Sequence, residues 1–324
     1  MSKGKIFITG ASGYIGSVVT EQAISKGYTV HGLSRNETAD EKLKAIGAVP
    51  IRGDLSTLDV LRREASQADI VLHLAFIHDW KKDFAEIVRI DGEAVDAIGE
   101  GLKGTSKPFV ISSGSALVDP DPAGGETTEE SPPTTRQPFV LRVKSENREL
   151  DWAKEGVGIM SVRLPPYVYG RGGSVFIPWL MQMAAKNGEA LFVDEGNMRT
   201  SGVHVDDAAA LYLLVAEKLR AGDIKAGEVF NGTASTYPTV KEMAEAIGAV
   251  LGVPVRSAKR EEVEEKWGAF LVGFVQYTNM ASNKKARQQL GWQLHGVEML
   301  ADIRSGSYVG LAKKLKEGEA PKSV

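Results

Sequence analysis

Residues 5–16 read Lys5-Ile6-Phe7-Ile8-Thr9-Gly10-Ala11-Ser12-Gly13-Tyr14-Ile15-Gly16, and the reading of this stretch decides the fold. Its first five residues are a short apolar run of the kind that becomes a buried strand. The run breaks into glycines, and a helical pattern follows over residues 17–26. A strand, a glycine turn and a helix in that order form a phosphate-binding device. Gly10 can turn the chain without a Cβ penalty, Gly13 lets backbone approach a pyrophosphate, and Gly16 lets the helix sit close to the sheet. The helix N-terminus then aims free N–H groups at the anion, with Ser12, Tyr14 and Ile15 completing the contact set. A purely structural turn could use the same glycines. Here they head a long α/β pattern, which favours a dinucleotide site.

Composition narrows the classes. The chain has 324 residues, 39 Lys and Arg against 42 Asp and Glu, and a net charge of −3. No basic excess recruits a nucleic-acid backbone, and no apolar run is long enough to cross a bilayer. Residues 1–5 lack the layout of a signal peptide. The absence of cysteine removes disulfides, thiolate zinc sites and cysteine nucleophiles, and five scattered histidines give no metal-ligand spacing. The expectation is a cytoplasmic enzyme with a small-molecule partner, without nucleic acid, membrane or metal.

Strands alternate with helices outward from the turn. The second strand, residues 28–33, ends not in the acidic residue that would hold a ribose 2′-hydroxyl but in Ser34-Arg35-Asn36. A guanidinium beside a hydroxyl suits a 2′-phosphate, so NADP(H) is expected over NAD(H), although a solvated loop arginine would look the same. A third strand, 48–52, ends at Gly53-Asp54-Leu55, where Asp54 either touches the cofactor or caps the next helix. The apolar strand 70–75 contains His73, read as a packed residue, and runs into Phe76-Ile77-His78-Asp79-Trp80. That cluster lies at the carboxyl end of a central strand, where small-molecule sites gather, and His78 is its candidate substrate contact. After helix 84–102, strand 109–111 ends in Ser112-Ser113-Gly114-Ser115, whose hydroxyls can orient a carbonyl or merely turn the chain.

Residues 119–138, rich in Pro, Thr, Gly and Glu, read as a surface excursion of the length used for lids. Helix 140–154 and strand 157–163 follow. Residues 164–170, with Pro165-Pro166, are expected to interrupt regular structure. Beyond them the repeated units stop. A helix over 174–187, a strand over 190–193, a helix capped by Asp206 or Asp207, a strand over 228–231 and further helices read as a smaller cap over the sheet. Residues 258–274 resist assignment. The fold class is therefore a doubly wound α/β sheet with a C-terminal cap. Its divisions are 1–170 with returning segments near 200–235 for the cofactor, 171–199 and 236–312 for substrate, and a disordered tail over 313–324.

Taken in order, TGASGYIG at 9–16, GDL at 53–55, HLA at 73–75, Ser112-Ser113, RLPPYVYG at 163–170, HVDDAA at 204–209 and LGW at 290–292 resemble the extended or atypical short-chain dehydrogenase/reductase superfamily. This is the group called NAD-dependent epimerases/dehydratases, and the resemblance covers nearly the whole chain. It implies a Rossmann-type sheet, a nicotinamide cofactor and hydride transfer at its C4. It implies further cofactor contacts at Leu55, Leu74, Ala75 and Pro166. It maps the substrate-orienting hydroxyl onto Ser113, with Ser112, Ser115, Tyr169 and Trp179 as further substrate contacts. In the family a Tyr-x-x-x-Lys helix supplies the proton donor and a lysine that holds the cofactor ribose. Lys144 takes the lysine position, but four residues before it stands Val140, which cannot transfer a proton.

Three accounts follow from that departure. The donor has moved, with Tyr167 the first choice and Tyr169, Lys144, His78 or a water on Ser113 behind it; or the reaction needs no strong protein acid; or the chain is a non-catalytic NADP(H)-binding regulatory module. Phe76, Trp80, Trp179, Met181, Met183, Trp267 and Phe270 suggest a small hydrophobic carbonyl substrate. Arg199, Arg256, Lys259 and Arg260 would instead be the second pyrophosphate site of a nucleotide-sugar epimerase or dehydratase. A homodimer through helices 84–102 and 140–154 is compatible with the pattern, as is a monomer.

Overall fold

The computed structural model describes residues 2–79 and 82–319. Eleven strands run β1 (Lys5–Thr9), β2 (Thr29–Ser34), β3 (Val49–Arg52), β4 (Ile70–His73), β5 (Pro108–Gly114), β6 (Gly158–Leu164), β7 (Tyr167–Tyr169), β8 (Ala190–Val193), β9 (Gly202–His204), β10 (Val229–Asn231) and β11 (Val255–Ala258). The α-helices are α1 (Tyr14–Ser25), α2 (Glu37–Ala45), α3 (Leu58–Gln67), α4 (Phe84–Leu102), α5 (Phe139–Leu150), α6 (Phe176–Asn187), α7 (Val205–Ala221), α8 (Val240–Leu251), α9 (Arg260–Trp267), α10 (Ala269–Val275), α11 (Met299–Ser305) and α12 (Val309–Lys316).

Seven strands form one parallel sheet in the order β10-β6-β5-β4-β1-β2-β3. Their alternation explains the two packed faces. Ile6, Ile8, Ile70, Leu72, Val110, Met160 and Val162 point to the face covered by α1 and α7. Phe7, Val71, Phe109, Ile111 and Ile159 point to the face covered by α3 and α4. A strand buried on both faces must be apolar at every position, which is why these runs show no alternation in sequence. Fully burying one such side chain is worth roughly 1.5–3 kcal/mol. The chain leaves β1 toward β2 and β3, then returns to β4 on β1's other side. The carboxyl ends of β1 and β4 therefore flank the crevice in which open sheets bind ligands.

A third apolar cluster joins α6, β8, α8, α9, α10, α11 and α12, and it also takes in Tyr167 and Tyr169. Two small parallel sheets, β8 with β11 and β7 with β9, tie this cluster together and to the strand ends.

Four expectations are corrected here. Residues 167–169 are a strand despite the preceding prolines, because β9 supplies its ladder partner at Tyr167↔Gly202. Residues 260–275 form two helices. The tail assignment began too early, since α12 runs through Lys316. His204, not an aspartate, caps α7, accepting from the Asp206 N–H. Asp207 is buried and its carboxylate accepts from the His295 and Gly296 N–H groups, 2.9 Å each.

Candidate active site at the carboxyl edge of the sheet

The three glycines differ in what holds them in place. Gly10 has φ +73°, and a Cβ there would lie 2.8 Å from the Ala75 nitrogen, so the turn is pressed onto the end of β4. A Cβ on Gly16 would lie 2.0 Å from the Gly10 carbonyl oxygen, a contact no side chain can accept. Gly13 is exposed and its side-chain direction is open but for the Gly10 carbonyl. It is also the N-cap of α1 and offers no side-chain cap, which leaves the first N–H groups free for an anion. Tyr14 and Ile15 begin that helix. The Tyr14 hydroxyl turns away and donates to the Gly170 carbonyl at 2.7 Å.

At the end of β2, Arg35 is exposed and makes no hydrogen bond or ion pair among the described residues. The Ser34 hydroxyl is buried and gives its proton to the Asn36 carbonyl at 3.1 Å. Arg52, which sequence reading passed over, faces Ser34 across the ladder and pairs with Asp40. Asp54 serves its own turn, since its carboxylate accepts from the Ser56 N–H at 2.8 Å. Leu55 is buried beneath it, and Leu74, Ala75 and Pro166 are half-buried.

The strand-end hydroxyls separate into used and unused groups. Ser112 donates to the His73 carbonyl at 2.9 Å and accepts from the Tyr212 hydroxyl at 2.8 Å. Ser115 is buried and donates to Asn279 Oδ1 at 2.9 Å. The Tyr169 hydroxyl donates to the Val297 carbonyl at 2.9 Å. These three expected substrate contacts are thus spent on holding the fold. Ser113 Oγ, by contrast, is buried without a well-formed hydrogen bond, although it lies near enough to Glu146 to help keep that carboxyl ionised.

Tyr167 is the other unused hydroxyl. The chain has eight tyrosines, and the hydroxyls of Tyr14, Tyr28, Tyr169, Tyr212, Tyr237, Tyr277 and Tyr308 all donate to a protein acceptor. The Tyr167 hydroxyl is buried and has none. Its ring meets Phe176 and Phe274 edge-on, at 6.1 and 5.2 Å between centroids. It lines a small void of about 20 Å³ walled by apolar side chains including Leu180, Met243 and Trp267. Burial alone pushes its pKa far above the ordinary phenol value, which makes it a weaker acid than a free phenol.

Helix α5 is turned differently from the expected register. Lys144 is exposed and unpaired among the described residues, while Arg142, Val143, Glu146 and Glu149 face inward. An α-helix turns about 100° per residue, so Lys144 and Glu146 stand on opposite sides. Lys144 stands on the exposed side of the helix, and the cation turned inward is Arg142, which the sequence reading missed. Its guanidinium reaches Asp91 on α4, donates to the Ser112 carbonyl at 3.0 Å, and lies 4.8 Å from the centroid of the Phe76 ring. Asp91 also meets His73 Nε2 at 3.2 Å, and His73 Nδ1 meets Thr9 Oγ1 at 2.9 Å. A chain of buried polar groups thus runs from the glycine turn to α5. Burial opposes the Asp91 charge, yet the His73 and Arg142 contacts outweigh it and hold the carboxyl below its usual range. Beside this chain, Glu146 is clasped by Arg163 and by the Ser161 hydroxyl at 2.7 Å. A charged residue closing the apolar strand at 157–163 was the available sequence signal for that buried pair.

His78 is exposed, with Nδ1 against the Phe76 carbonyl at 3.1 Å, and Trp80 lies outside the described residues. Trp179 is half-buried on α6 and stacks on Phe270 at 6.2 Å. The excursion at 119–138 is pinned rather than loose. Thr127 bridges to Ala281, the Tyr237 hydroxyl donates to Glu126, and Arg136 lies 4.0 Å from the Tyr277 ring centroid. Among the described residues there is no group of three or more potential metal ligands, and no helix long and apolar enough to cross a membrane.

Residues 6–232 match the family model described as NAD dependent epimerase/dehydratase family. An uncharacterized protein of Saccharomyces cerevisiae is 37% identical over 303 residues, covering 93% of this chain and 98% of the yeast protein. A 4-hydroxy-2-methyl-3-oxo-4-farnesyl-3,4-dihydroquinoline-1-oxide ketoreductase of Stigmatella aurantiaca is 28% identical, covering 68% of this chain and 66% of its own. Among solved structures, a UDP-glucose-4-epimerase of Stenotrophomonas maltophila with bound NAD superposes with a TM-score of 0.75 at 18% identity. It covers 97% of this chain and 99% of the epimerase.

Proposed function

The chain belongs to the NAD dependent epimerase/dehydratase family, and on that footing we propose that it is an NADP(H)-dependent reductase of small hydrophobic carbonyl compounds, with Tyr167 as proton donor and Ser113 as the hydroxyl that orients the carbonyl. One observation carries this reading. Of eight tyrosine hydroxyls only that of Tyr167 is left without a partner, and of the three serines at the end of β5 only Ser113, beside Glu146, lacks a well-formed hydrogen bond. An unpaired buried hydroxyl costs about 1–3 kcal/mol, so folds retain few of them, and a bound ligand is a natural partner.

The residues fit a dinucleotide. The glycine turn and the uncapped start of α1 would hold the pyrophosphate, and Arg35 would hold the 2′-phosphate. When bound, the nicotinamide supplies the hydride. This chain's residues do the rest: Ser113 orients the carbonyl oxygen, and the Tyr167 hydroxyl, which has no other partner, gives a proton to the oxygen as charge develops on it. The apolar surroundings of Tyr167 favour a hydrophobic substrate body. Basic residues that would serve a nucleotide sugar are already engaged. Arg256 pairs with Glu189 and Glu262, Arg260 with Glu264, Lys259 with Asp194, and Arg199 donates to the Tyr237 carbonyl.

The test is NADPH oxidation against a panel of aliphatic and aromatic ketones and aldehydes, with UDP-glucose epimerisation assayed in parallel. Turnover of hydrophobic carbonyls that falls at least 100-fold in Ser113→Ala supports the reading. Epimerisation without carbonyl reduction would replace it, and an unaffected Ser113→Ala would remove Ser113 from the site.

A further inference from the structure

We infer that the ring of Phe274 holds the place of the substrate's aromatic body. The carbonyl compounds this chain takes are then those conjugated to an aromatic ring, seated face-on against Phe176 and beside Tyr167. The inference rests on the reductase reading above, and names the substrate class of that site and the side chains that select it.

No substrate reaches the Tyr167 hydroxyl unless a side chain moves. The void beside it, about 20 Å³, has room for roughly one water molecule. Every side chain that walls the void, from Leu180 and Met243 to Trp267, is buried. Phe176 and Phe274 are different. Both rings meet Tyr167 edge-on and both are half-buried, so they carry its apolar contacts out to solvent. Their neighbours continue the row. Trp179 stands three residues beyond Phe176 on α6, Phe270 stands four residues before Phe274 on α10, and these two rings stack in turn. Phe270 is exposed, so the row of rings runs from Tyr167 to the surface.

The contact between Phe176 and Phe274 is one that a ligand can improve. Their centroids are 3.6 Å apart and their planes 13° from parallel, a face-to-face sandwich with little offset. Two phenyl faces carry like quadrupoles, so aromatic pairs favour offset or edge-on arrangements with centroids about 4.5–7 Å apart. A ring that bears a carbonyl has lost electron density from its face, and against Phe176 it is a better partner than Phe274. Phe274 also has somewhere to go. A Cβ on Gly273, its neighbour on α10, would meet nothing within 4 Å, so that flank of the helix is open. Leu271, Val272 and Val275 are buried and anchor α10, so the Phe274 side chain turns while its backbone stays. A saturated ring of the same size has no π face to offer Phe176 and gains only its burial.

The experiment uses two ketones that differ only in aromaticity, acetophenone and cyclohexyl methyl ketone. Each is titrated by calorimetry into the full-length protein with NADP⁺ present, and each is assayed by NADPH oxidation. The wild-type protein is expected to bind acetophenone about fivefold more tightly than the saturated ketone. Phe176→Leu keeps the bulk and removes the face; it should weaken acetophenone about fivefold and leave the saturated ketone within about twofold. Phe274→Ala vacates the place the ring holds, so both ketones should bind about fivefold more tightly, with kcat/KM rising in step. Phe274→Leu keeps apolar cover on α10 and guards against misfolding; its expected gain is about twofold. Equal binding of the two ketones by wild-type protein would overturn the inference, as would weaker binding in both Phe274 variants or an unmoved preference in Phe176→Leu. If carbonyls are reduced without this pattern, the inference fails and the reductase reading stands. If the pattern of binding appears without any reduction, the reductase reading fails and the aromatic place stands.

Discussion

Replacing Tyr167 with Phe should stabilise the protein and cripple its reaction together. The substitution removes one oxygen atom and keeps the ring that packs on Phe176 and Phe274. That oxygen has left water on folding without gaining a partner, a penalty of about 1–3 kcal/mol that phenylalanine does not incur. For 324 residues the unfolding entropy is about 0.7 kcal/mol/K, so the midpoint should rise by about 1.5–4 °C. Loss of a general acid lowers the chemical step by roughly 10²–10⁴-fold. The assay pairs a thermal melt without cofactor with initial rates of NADPH oxidation on the best carbonyl of the panel. An ordinary packing tyrosine with a satisfied hydroxyl would give the opposite melt, a fall of about 1 kcal/mol in stability, with no kinetic change. That pair of results would refute the reasoning. A raised midpoint with full activity would keep the unpaired hydroxyl but remove it from catalysis.

Further outcomes follow from the same geometry. Arg35→Ala should weaken NADPH binding at least tenfold while leaving NADH within about twofold, as read by fluorescence titration; equal losses would sink the 2′-phosphate assignment. Gly16→Ala must push its Cβ from 2.0 Å off the Gly10 carbonyl, so dinucleotide binding should vanish, with a stability loss of roughly 1–3 kcal/mol by denaturant titration. Glu146 concerns acid stability. Burial raises its pKa, but the Arg163 and Ser161 contacts outweigh this and hold it below the ordinary value. A carboxyl lowered on folding stabilises the protein above its unfolded pKa, near 4, and that contribution is lost as pH falls through the folded value. Glu146→Gln should therefore cost about 3–5 kcal/mol at pH 7 and flatten the stability profile below pH 4. An unchanged acid limb would show that other carboxyls dominate it.

The glycine turn was legible because its signals are local. The roles of Gly10, Gly13 and Gly16 depend on backbone geometry within a few residues, and the spacing alone specifies them. The strands were legible because burial on both faces leaves a continuous apolar run. The bounds of β1, α4 and β8 coincide with the sequence reading, and α4 and α8 begin at caps that the chain itself spells out. Helix α4 has an aspartate cap and α8 a capping box. The strand at 167–169 was hidden because its partner lies more than thirty residues away.

The sequence by itself determined which residue types stand at the carboxyl edge: the glycine turn, a basic end to β2, three serines after β5, two tyrosines after β6, and a helix without the usual tyrosine. Tertiary structure decided which of them are free to act. Ser112, Ser115 and Tyr169 are consumed by Tyr212, Asn279 and Val297, partners between 100 and 164 residues distant in the chain. Ser113 and Tyr167 are left over. The inward face of α5 was likewise settled by packing, which turns Arg142 and Glu146 in and leaves Lys144 exposed. Local pattern fixes what a residue can do; only long-range contacts fix whether its donors and acceptors are already spent.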